Sequence, residues 1–335
     1  MRQCVFFVLL STAVLSSALA AGDDAAAVLE QQRQHGFVNP AAAIKALTAA
    51  GHDIAQAPLA LRMRYHAALA SLYSVAEQPD LFKPELAELE RMATEEHCTP
   101  CAHYKLVRES QMAVRMQDIP AARTLLLQLE AITPTDPALL QAVVYARAAT
   151  YGAAGSQARS LEEGVRSLQL ATANGNMADQ VRSLNLMMLA NIARRDLETA
   201  EKQADEAYAL AERIGFVYMM AYIRNNQGWL YGLKEAPEKQ LEALRDALTI
   251  TRNNPGMADT ELTILVNMAE YYLGRKDYQQ SVGLARQAMA LADRQKKVTA
   301  KGVVMINLGI AQVELGEYEN GIATMQQAHL LLKAA

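Results

Sequence analysis

The sequence has few aromatic residues and no strong excess of charge of one sign. Aromatic residues make up 6% of its 335 residues, tryptophan occurs once, and the formal net charge is −4. Binding to nucleic acid needs a concentrated basic face, and the charged residues here are spread along the whole chain. The charge balance therefore argues against a nucleic-acid partner.

Runs of valine and isoleucine, which would indicate strands, are missing. Apolar residues nevertheless make up 51% of the chain, which is ample for a core. Alanine and leucine lose little side-chain entropy in a helix and favour helix formation. The composition predicts an all-α protein, and the length allows one or two domains.

Motifs that carry catalysis are also missing. The sequence contains no nucleophile elbow, no phosphate-binding loop and no zinc-protease helix. Paired acids such as Glu95 and Glu96 are adjacent, so they would point to different faces of a helix and could not share one cleft. We predict a protein that is not an enzyme and needs no cofactor.

The first twenty residues have the pattern of a secretory signal peptide. Arg2 precedes an apolar run from residue 4 to residue 15, and the small residues Ala18 and Ala20 form a cleavage site. No later segment holds the ~18 uninterrupted apolar residues of a membrane span. We expect residues 1–20 to be removed, leaving a soluble periplasmic chain with no direct membrane insertion.

Two cysteines would remain after cleavage, and they allow three interpretations. Cys98 and Cys101 could form a structural disulfide, which an oxidising compartment favours. They could form a thioredoxin-like redox pair, although no βαβ pattern surrounds them. They could also bind a metal together with His97 and His103, although so short a segment can hardly surround one ion. The disulfide is the favoured interpretation, and we predict no metal site.

The C-terminal half contains an internal repeat. Two series of residues share intervals of 40 or 41 residues, one of alanine and one of asparagine: Ala207, Ala247, Ala288 and Ala328, and Asn226, Asn267 and Asn307. Two independent series with one period indicate repeated structural units.

Each repeat has the pattern of two amphipathic helices. Met268, Ala269 and Tyr272 fall on one helix face, a break follows at residues 274–277, and a second helical pattern covers residues 282–292. In the N-terminal part the helix starts are less regular, and Asn39-Pro40 and Lys83-Pro84 suit such starts because proline is tolerated in the first turn.

Small residues recur at fixed places in these units. Gly228, Ala269 and Gly309 recur on the first helix, and the alanine series recurs on the second. A small side chain lets two helices approach closely, where a larger one would clash. We therefore expect these residues to lie at helix contacts.

Together these residues resemble the tetratricopeptide repeat. Asn307, Gly309, Gly316, Tyr318 and Ala328 fall on the positions of that family. The resemblance implies an all-α fold, a right-handed α-solenoid of antiparallel helix pairs. The resemblance is clearest over residues 101–335, which we expect to form the repeat array. Residues 21–100 are expected to form degenerate helical pairs that continue into this array.

The period is longer than the common length of about 34 residues. It is similar to the extended repeats of kinesin light chain and of bacterial quorum-peptide receptors. HEAT repeats, with a period of roughly 40–47 residues, are the structural alternative. Gln312 and Pro237 depart from the family pattern, which puts the unit boundaries in doubt.

The asparagine series is the main candidate for a binding site. Asn226, Asn267 and Asn307 would lie in a row along the concave surface, and Asn185 joins them if its unit is shifted by one residue. A side-chain amide both donates and accepts hydrogen bonds, so it can pair with a peptide backbone. The resemblance implies that asparagines at this position contact peptide backbone. The alternative is that each amide bonds a neighbouring helix and is structural.

Other side chains on the same helix as Asn226 complete the predicted groove, namely Tyr222, Arg224 and Asn225. Trp229 suits a core position and a binding site equally well. Arg182 would add positive charge that selects acidic ligands.

Two functions follow. The first is a non-catalytic periplasmic module that binds a peptide or protein partner in its groove. The second is the periplasmic sensor region of a membrane-bound GGDEF diguanylate cyclase, which the organisation of the chain resembles. The sequence ends on an apolar helical pattern without a polar terminal unit. This predicts either a continuing chain or self-association through that helix.

Overall fold

The computed structural model describes residues 26–30, 39–51, 54–76, 78–254 and 256–334. These residues are helical apart from short connections, and no strand occurs among them. The all-α prediction is therefore confirmed. The predicted signal peptide lies outside the described residues.

The chain divides into two compact units, Met1–Val217 and Tyr218–Ala335. The helices of the first unit, numbered from the first one bounded completely, are α1 (Pro40–Ala50), α2 (Leu59–Val75), α3 (Pro79–Glu95), α4 (Thr99–Arg115), α5 (Ile119–Glu130), α6 (Pro137–Ala153), α7 (Gln157–Ala173), α8 (Met177–Ala193) and α9 (Leu197–Ile214). Those of the second unit are α10 (Val217–Leu233), α11 (Pro237–Arg252), α12 (Ala258–Gly274), α13 (Tyr278–Arg294), α14 (Val298–Glu314) and α15 (Tyr318–Ala334).

Local sequence explains most helix starts. The side chain of Asn39 caps α1 by accepting a hydrogen bond from the amide of Ala42, and Pro40 follows in the first turn. Asp136 caps α6 in the same way. The predicted start at Lys83-Pro84 is wrong, because Pro79 already opens α3 and Pro84 lies inside that helix.

The turns between helices repeat one conformation. Lys276 has a φ of 63° in the left-handed region, and the amide of Asp277 then donates to the carbonyl of Tyr272 at 2.9 Å. The Asp277 side chain caps α13. The predicted break at residues 274–277 is confirmed, since α12 ends at Gly274 and α13 begins at Tyr278.

Within the first unit, consecutive helices from α1 to α9 contact each other. The helices α2, α4, α6 and α8 also contact one another in succession. They are therefore the first helices of stacked pairs, the arrangement of a helical solenoid. Part of the core between α3, α4, α5 and α6 contains Leu89, Met92, Val107, Leu129 and Val143, none of which is exposed to solvent. The predicted boundary at residues 100 and 101 falls in the first turn of α4, and this division of the chain stays a prediction.

The second unit stacks in the same manner. Consecutive helices from α11 to α15 contact each other, and α12 also contacts α14. The predicted role of the small residues is confirmed here. A Cβ atom on Gly228 would lie 2.7 Å from a methyl carbon of Leu244, and the Ser281 hydroxyl reaches the carbonyl of Ala269 at 2.9 Å. Side chains of ordinary size would separate these helices.

Candidate functional site

The two cysteines at the start of α4 are bonded through their sulfur atoms. Cys98 precedes the helix, Cys101 lies in its first turn, and their Cα atoms are 5.3 Å apart, within the usual range for a disulfide. Both side chains are buried. In the described part of the chain, no group of three or more His, Cys, Asp or Glu residues is placed to hold a metal ion.

The second unit presents a face made by its first helices α10, α12 and α14, here called the first-helix face. Its members are partly or largely exposed side chains at matching positions of three 17-residue helices: Tyr222, Asn225, Asn226 and Trp229 on α10, Thr263, Val266, Asn267 and Glu270 on α12, and Val303, Ile306, Asn307 and Ile310 on α14. The asparagine series Asn226, Asn267 and Asn307 occupies the tenth position of each helix.

The structure connects these amides differently from a simple row. The Asn267 side chain donates a hydrogen bond to the side-chain oxygen of Asn225 at 2.8 Å. Asn225 is the ninth residue of α10, so the bond joins the ninth position of one helix to the tenth of the next. Both side chains stay partly exposed. The pair therefore bridges two first helices and still offers an amide N–H from Asn225 and an amide oxygen from Asn267.

The other predicted asparagines occupy related helix positions. Asn307 lies partly exposed on α14 and makes no side-chain hydrogen bond to another described residue. Asn226 is partly exposed beside Asn225. Asn185 lies on α8 in the first unit, where it is the ninth residue, so it matches Asn225 in position rather than Asn226.

Arg224 is directed towards the second helix of its pair. Its Nη1 donates to the side chain of Gln227 at 3.0 Å, and its Nε lies 3.5 Å from a carboxylate oxygen of Asp246 on α11. The grouping of Arg224 with the asparagine amides stays a prediction. Tyr222 remains on the first-helix face, one helical turn before Asn225 and Asn226.

Trp229 belongs to the first-helix face and not to the core. Its side chain is 48% exposed, and it follows Asn225 by four residues, which places both on one side of α10. Exposed apolar side chains indicate an interaction site when they lie together in a patch rather than singly. Because its side chain is exposed, Trp229 is not a core residue, which was one of the two alternatives that the sequence left open.

Helix α14 carries an apolar stripe that was not predicted from the sequence. Val303, Ile306 and Ile310 are 44%, 38% and 38% exposed, and their spacing puts them along one side of the helix. The sequence signal for this stripe is that α14 is apolar on more than one side. Val304 and Leu308 are buried, so the other apolar residues of the helix are left for its exposed side. The first-helix face thus combines amide groups on α10 and α12 with apolar surface on α14.

None of the helices in the described ranges combines the length and the apolar character that crossing a membrane requires.

No protein-family model and no curated protein sequence matches the chain. Solved structures do match. A Rap protein complexed with Competence and Sporulation Factor superposes with a TM-score of 0.60 at 11% identity, covering 93% of this chain and 98% of that chain.

The quorum sensor NprR matches this chain in two structures, one without and one with its peptide. The apo form of the quorum sensor NprR from B. thuringiensis has a TM-score of 0.58 at 14% identity, covering 81% of this chain and 76% of that chain. NprR in complex with its cognate peptide NprX has a TM-score of 0.55 at 14% identity, covering 81% and 78%. At such low identity the likeness concerns the fold alone, an α-helical repeat fold of the tetratricopeptide-like kind.

Proposed function

We propose that this chain is a non-catalytic binding module that holds an extended peptide, or an extended segment of a protein, on the first-helix face of its second unit. The observation that carries the proposal is the bridge between Asn225 and Asn267 beside the apolar stripe on α14. This arrangement offers polar groups for a backbone and apolar surface for side chains in one place.

The physical argument starts from the ligand. An extended peptide has N–H and C=O groups that need partners when they leave water. A side-chain amide supplies both a donor and an acceptor, so it can pair with the backbone of many different sequences. Because Asn225 and Asn267 already hold each other, less side-chain entropy is lost when a ligand binds. Val303, Ile306 and Ile310 would then cover apolar side chains of the ligand.

The solved structures support a peptide ligand. The Rap protein is complexed with Competence and Sporulation Factor, and NprR is in complex with its cognate peptide NprX. These ligands belong to those proteins. They support the proposal here because the same helical fold accommodates ligands of this kind in two separate cases.

The test uses Trp229, the single tryptophan of the chain, as a built-in fluorophore on the proposed surface. A library of short synthetic peptides is titrated against the protein while the emission of Trp229 is followed. We expect some peptides to change the emission. For these, the double variant Asn225→Ala, Asn267→Ala should bind roughly tenfold more weakly or worse, since each hydrogen bond contributes about 0.5–1.5 kcal/mol.

The matched control is Asn320→Ala, an exposed amide on α15, which is the second helix of its pair. This variant should bind as the wild type does. Urea unfolding of all variants separates binding from stability. If the double variant binds normally, or if its weaker binding follows an equal loss of folded protein, the bridge is structural and the proposal fails.

We also propose that the chain works in the periplasm. The signal-peptide pattern of residues 1–20 supports this location, and so does the bond between Cys98 and Cys101, since disulfides persist in oxidising compartments. Protein recovered from a periplasmic fraction should begin at Ala21 and show no free thiol when titrated unreduced. An intact N-terminus in the cytoplasmic fraction, or two titratable thiols, would contradict the location.

The alternative of a sensor region of a membrane-bound GGDEF diguanylate cyclase stays a prediction from the organisation of the sequence. Reading the source gene beyond the codon for Ala335 tests it. An open frame that encodes a membrane span and a GGDEF domain would favour the alternative, and a stop codon would remove it.

A further inference from the structure

The first unit has a different set of side chains on its first helices, here called the arginine–tyrosine cluster. Its members are Tyr104 and Arg108 on α4, Tyr145 on α6 and Arg182 on α8. Helix α4 contacts α6, and α6 contacts α8. Three successive first helices therefore bring these four side chains, which are distant in sequence, to one surface.

Arg108 is enclosed without an acidic partner. Its Nε donates to the carbonyl of Ala67 at 3.1 Å and its Nη1 to the side chain of Gln111 at 2.8 Å. No carboxylate of the described residues forms an ion pair with it. Burial lowers the pKa of Arg108 to about 10; Tyr104 and the negative charge of Asp179 oppose this shift, and the positive charge of Arg182 adds to it. The guanidinium stays charged at neutral pH and keeps unused N–H donors.

Arg182 lies in a fixed orientation in the same cluster. Its Nη1 donates to a carboxylate oxygen of Asp179 at 3.0 Å, and its guanidinium carbon lies 5.4 Å from the ring centroid of the buried Phe216. The other oxygen of Asp179 accepts a hydrogen bond from Asn176 at 2.9 Å. Asp179 therefore pairs with Arg182 and acts on Arg108 only from beyond ion-pair distance. The other charges that act on Tyr104 are those of Asp136 and Arg64, and Asp136 makes no ion pair with Arg108 either.

The two tyrosines add donors. Burial raises the pKa of Tyr104 and that of Tyr145, so both phenols are protonated at neutral pH and can donate an O–H. Neither phenol makes a hydrogen bond to another described residue. The charges that act on Tyr145 are those of Arg182 and Asp179, which confirms that the tyrosine lies near both.

We propose that the arginine–tyrosine cluster binds a carboxylate group of a ligand. A partly buried positive charge without a partner is unfavourable, and an anion at this place would remove the cost. The guanidinium groups present only donors and each phenol adds an O–H donor, and the planar guanidinium matches a carboxylate with two parallel hydrogen bonds. The carboxylate can come from an acidic side chain of a peptide or from a peptide C-terminus. The site lies in the first unit and does not rest on the function proposed for the second.

Three peptides distinguish the two sources in calorimetric titrations of the full chain. Acetyl-Ala-Glu-Ala-amide carries a side-chain carboxylate, acetyl-Ala-Gln-Ala with a free C-terminus carries a terminal one, and acetyl-Ala-Gln-Ala-amide carries none. We expect at least one acidic peptide to bind the wild type about tenfold more tightly than the neutral one. The variant Arg108→Gln should lose this preference, and Tyr145→Phe should reduce it.

The control is Arg166→Gln, which removes the same charge from an exposed side chain on α7 and should keep the full preference. The double variant of Asn225 and Asn267 should also keep it, which separates this test from that of the second unit. Circular dichroism checks that Arg108→Gln is folded. If that variant does not fold, Tyr145→Phe replaces it as the test of the cluster. Equal binding of acidic and neutral peptides, or equal effects of Arg108→Gln and Arg166→Gln, would overturn the proposal.

Discussion

Replacing Arg147 with methionine should lower the free energy of unfolding by at least roughly 3 kcal/mol. Arg147 lies on α6 and its side chain is nearly fully buried. It donates to the carbonyl of Leu129 at 2.9 Å and 2.7 Å, and also to the carbonyl of Ile132. These carbonyls belong to the end of α5 and the turn after it, where a helix leaves acceptors without partners.

Methionine keeps the length and the apolar stem of the side chain but removes every donor. The carbonyl of Ile132 would then lose its side-chain donor, and that of Leu129 would keep only backbone donors, such as the Ile132 amide at 3.4 Å. A buried polar group that loses its partner costs about 1–3 kcal/mol. Urea unfolding followed by circular dichroism measures the loss. Arg147→Lys should recover only part of it, because one ammonium group cannot reproduce the fork of a guanidinium.

The matched control is Arg159→Met on α7. This arginine is largely exposed and lies 3.5 Å from Glu130, so the same substitution should cost no more than about 1 kcal/mol. Similar losses for the two variants would show that the carbonyl contacts of Arg147 contribute little to stability.

Replacing Gly309 with alanine should destabilise the second unit by roughly 1–3 kcal/mol. Gly309 lies on α14 and packs against the backbone of α15. A Cβ atom there would lie 2.9 Å from the carbonyl oxygen of Gly321 and 2.5 Å from a side-chain carbon of Met325. A backbone oxygen cannot move aside as a flexible side chain can, so the two helices would have to separate.

The same substitution at Gly283 should have the opposite sign. Gly283 lies inside α13 on an exposed side, and a Cβ atom there would meet no atom within 4 Å. Alanine is more favourable than glycine in a helix by up to about 1 kcal/mol, so Gly283→Ala should stabilise the protein. Thermal unfolding of both variants tests the pair. Gly309→Ala would contradict the close-contact argument if it were as stable as Gly283→Ala.

The repeat architecture could be predicted because its signals are local or periodic. The break at residues 274–277 and the small residues Ala269 and Gly309 follow from turn chemistry and helix packing, and both lie where expected. Pro84 shows the limit of such signals. A proline can open a helix or lie within one, and in this case the earlier Pro79 opened it.

The binding surfaces were predictable only as residue types. Asparagines at one period indicated a shared helix face, and that face carries them. The bond from Asn267 to Asn225, rather than to Asn226, depends on how two helices are rotated and shifted against each other. Two neighbouring residues on a helix point in directions about 100° apart. The intervals in the sequence do not show which of the two faces the next helix.

By itself, the sequence determined the helical class, the period, the paired helices and the turns between them, because these depend on neighbours one to four residues away. The tertiary structure decided that Trp229 is exposed, that α14 carries an apolar stripe, and that Arg108 and Arg182 meet on one surface. These features depend on which sides of distant helices are covered by others. Burial is a property of the stacked helices and not of any segment alone, so the sites appear only after the pairs have packed.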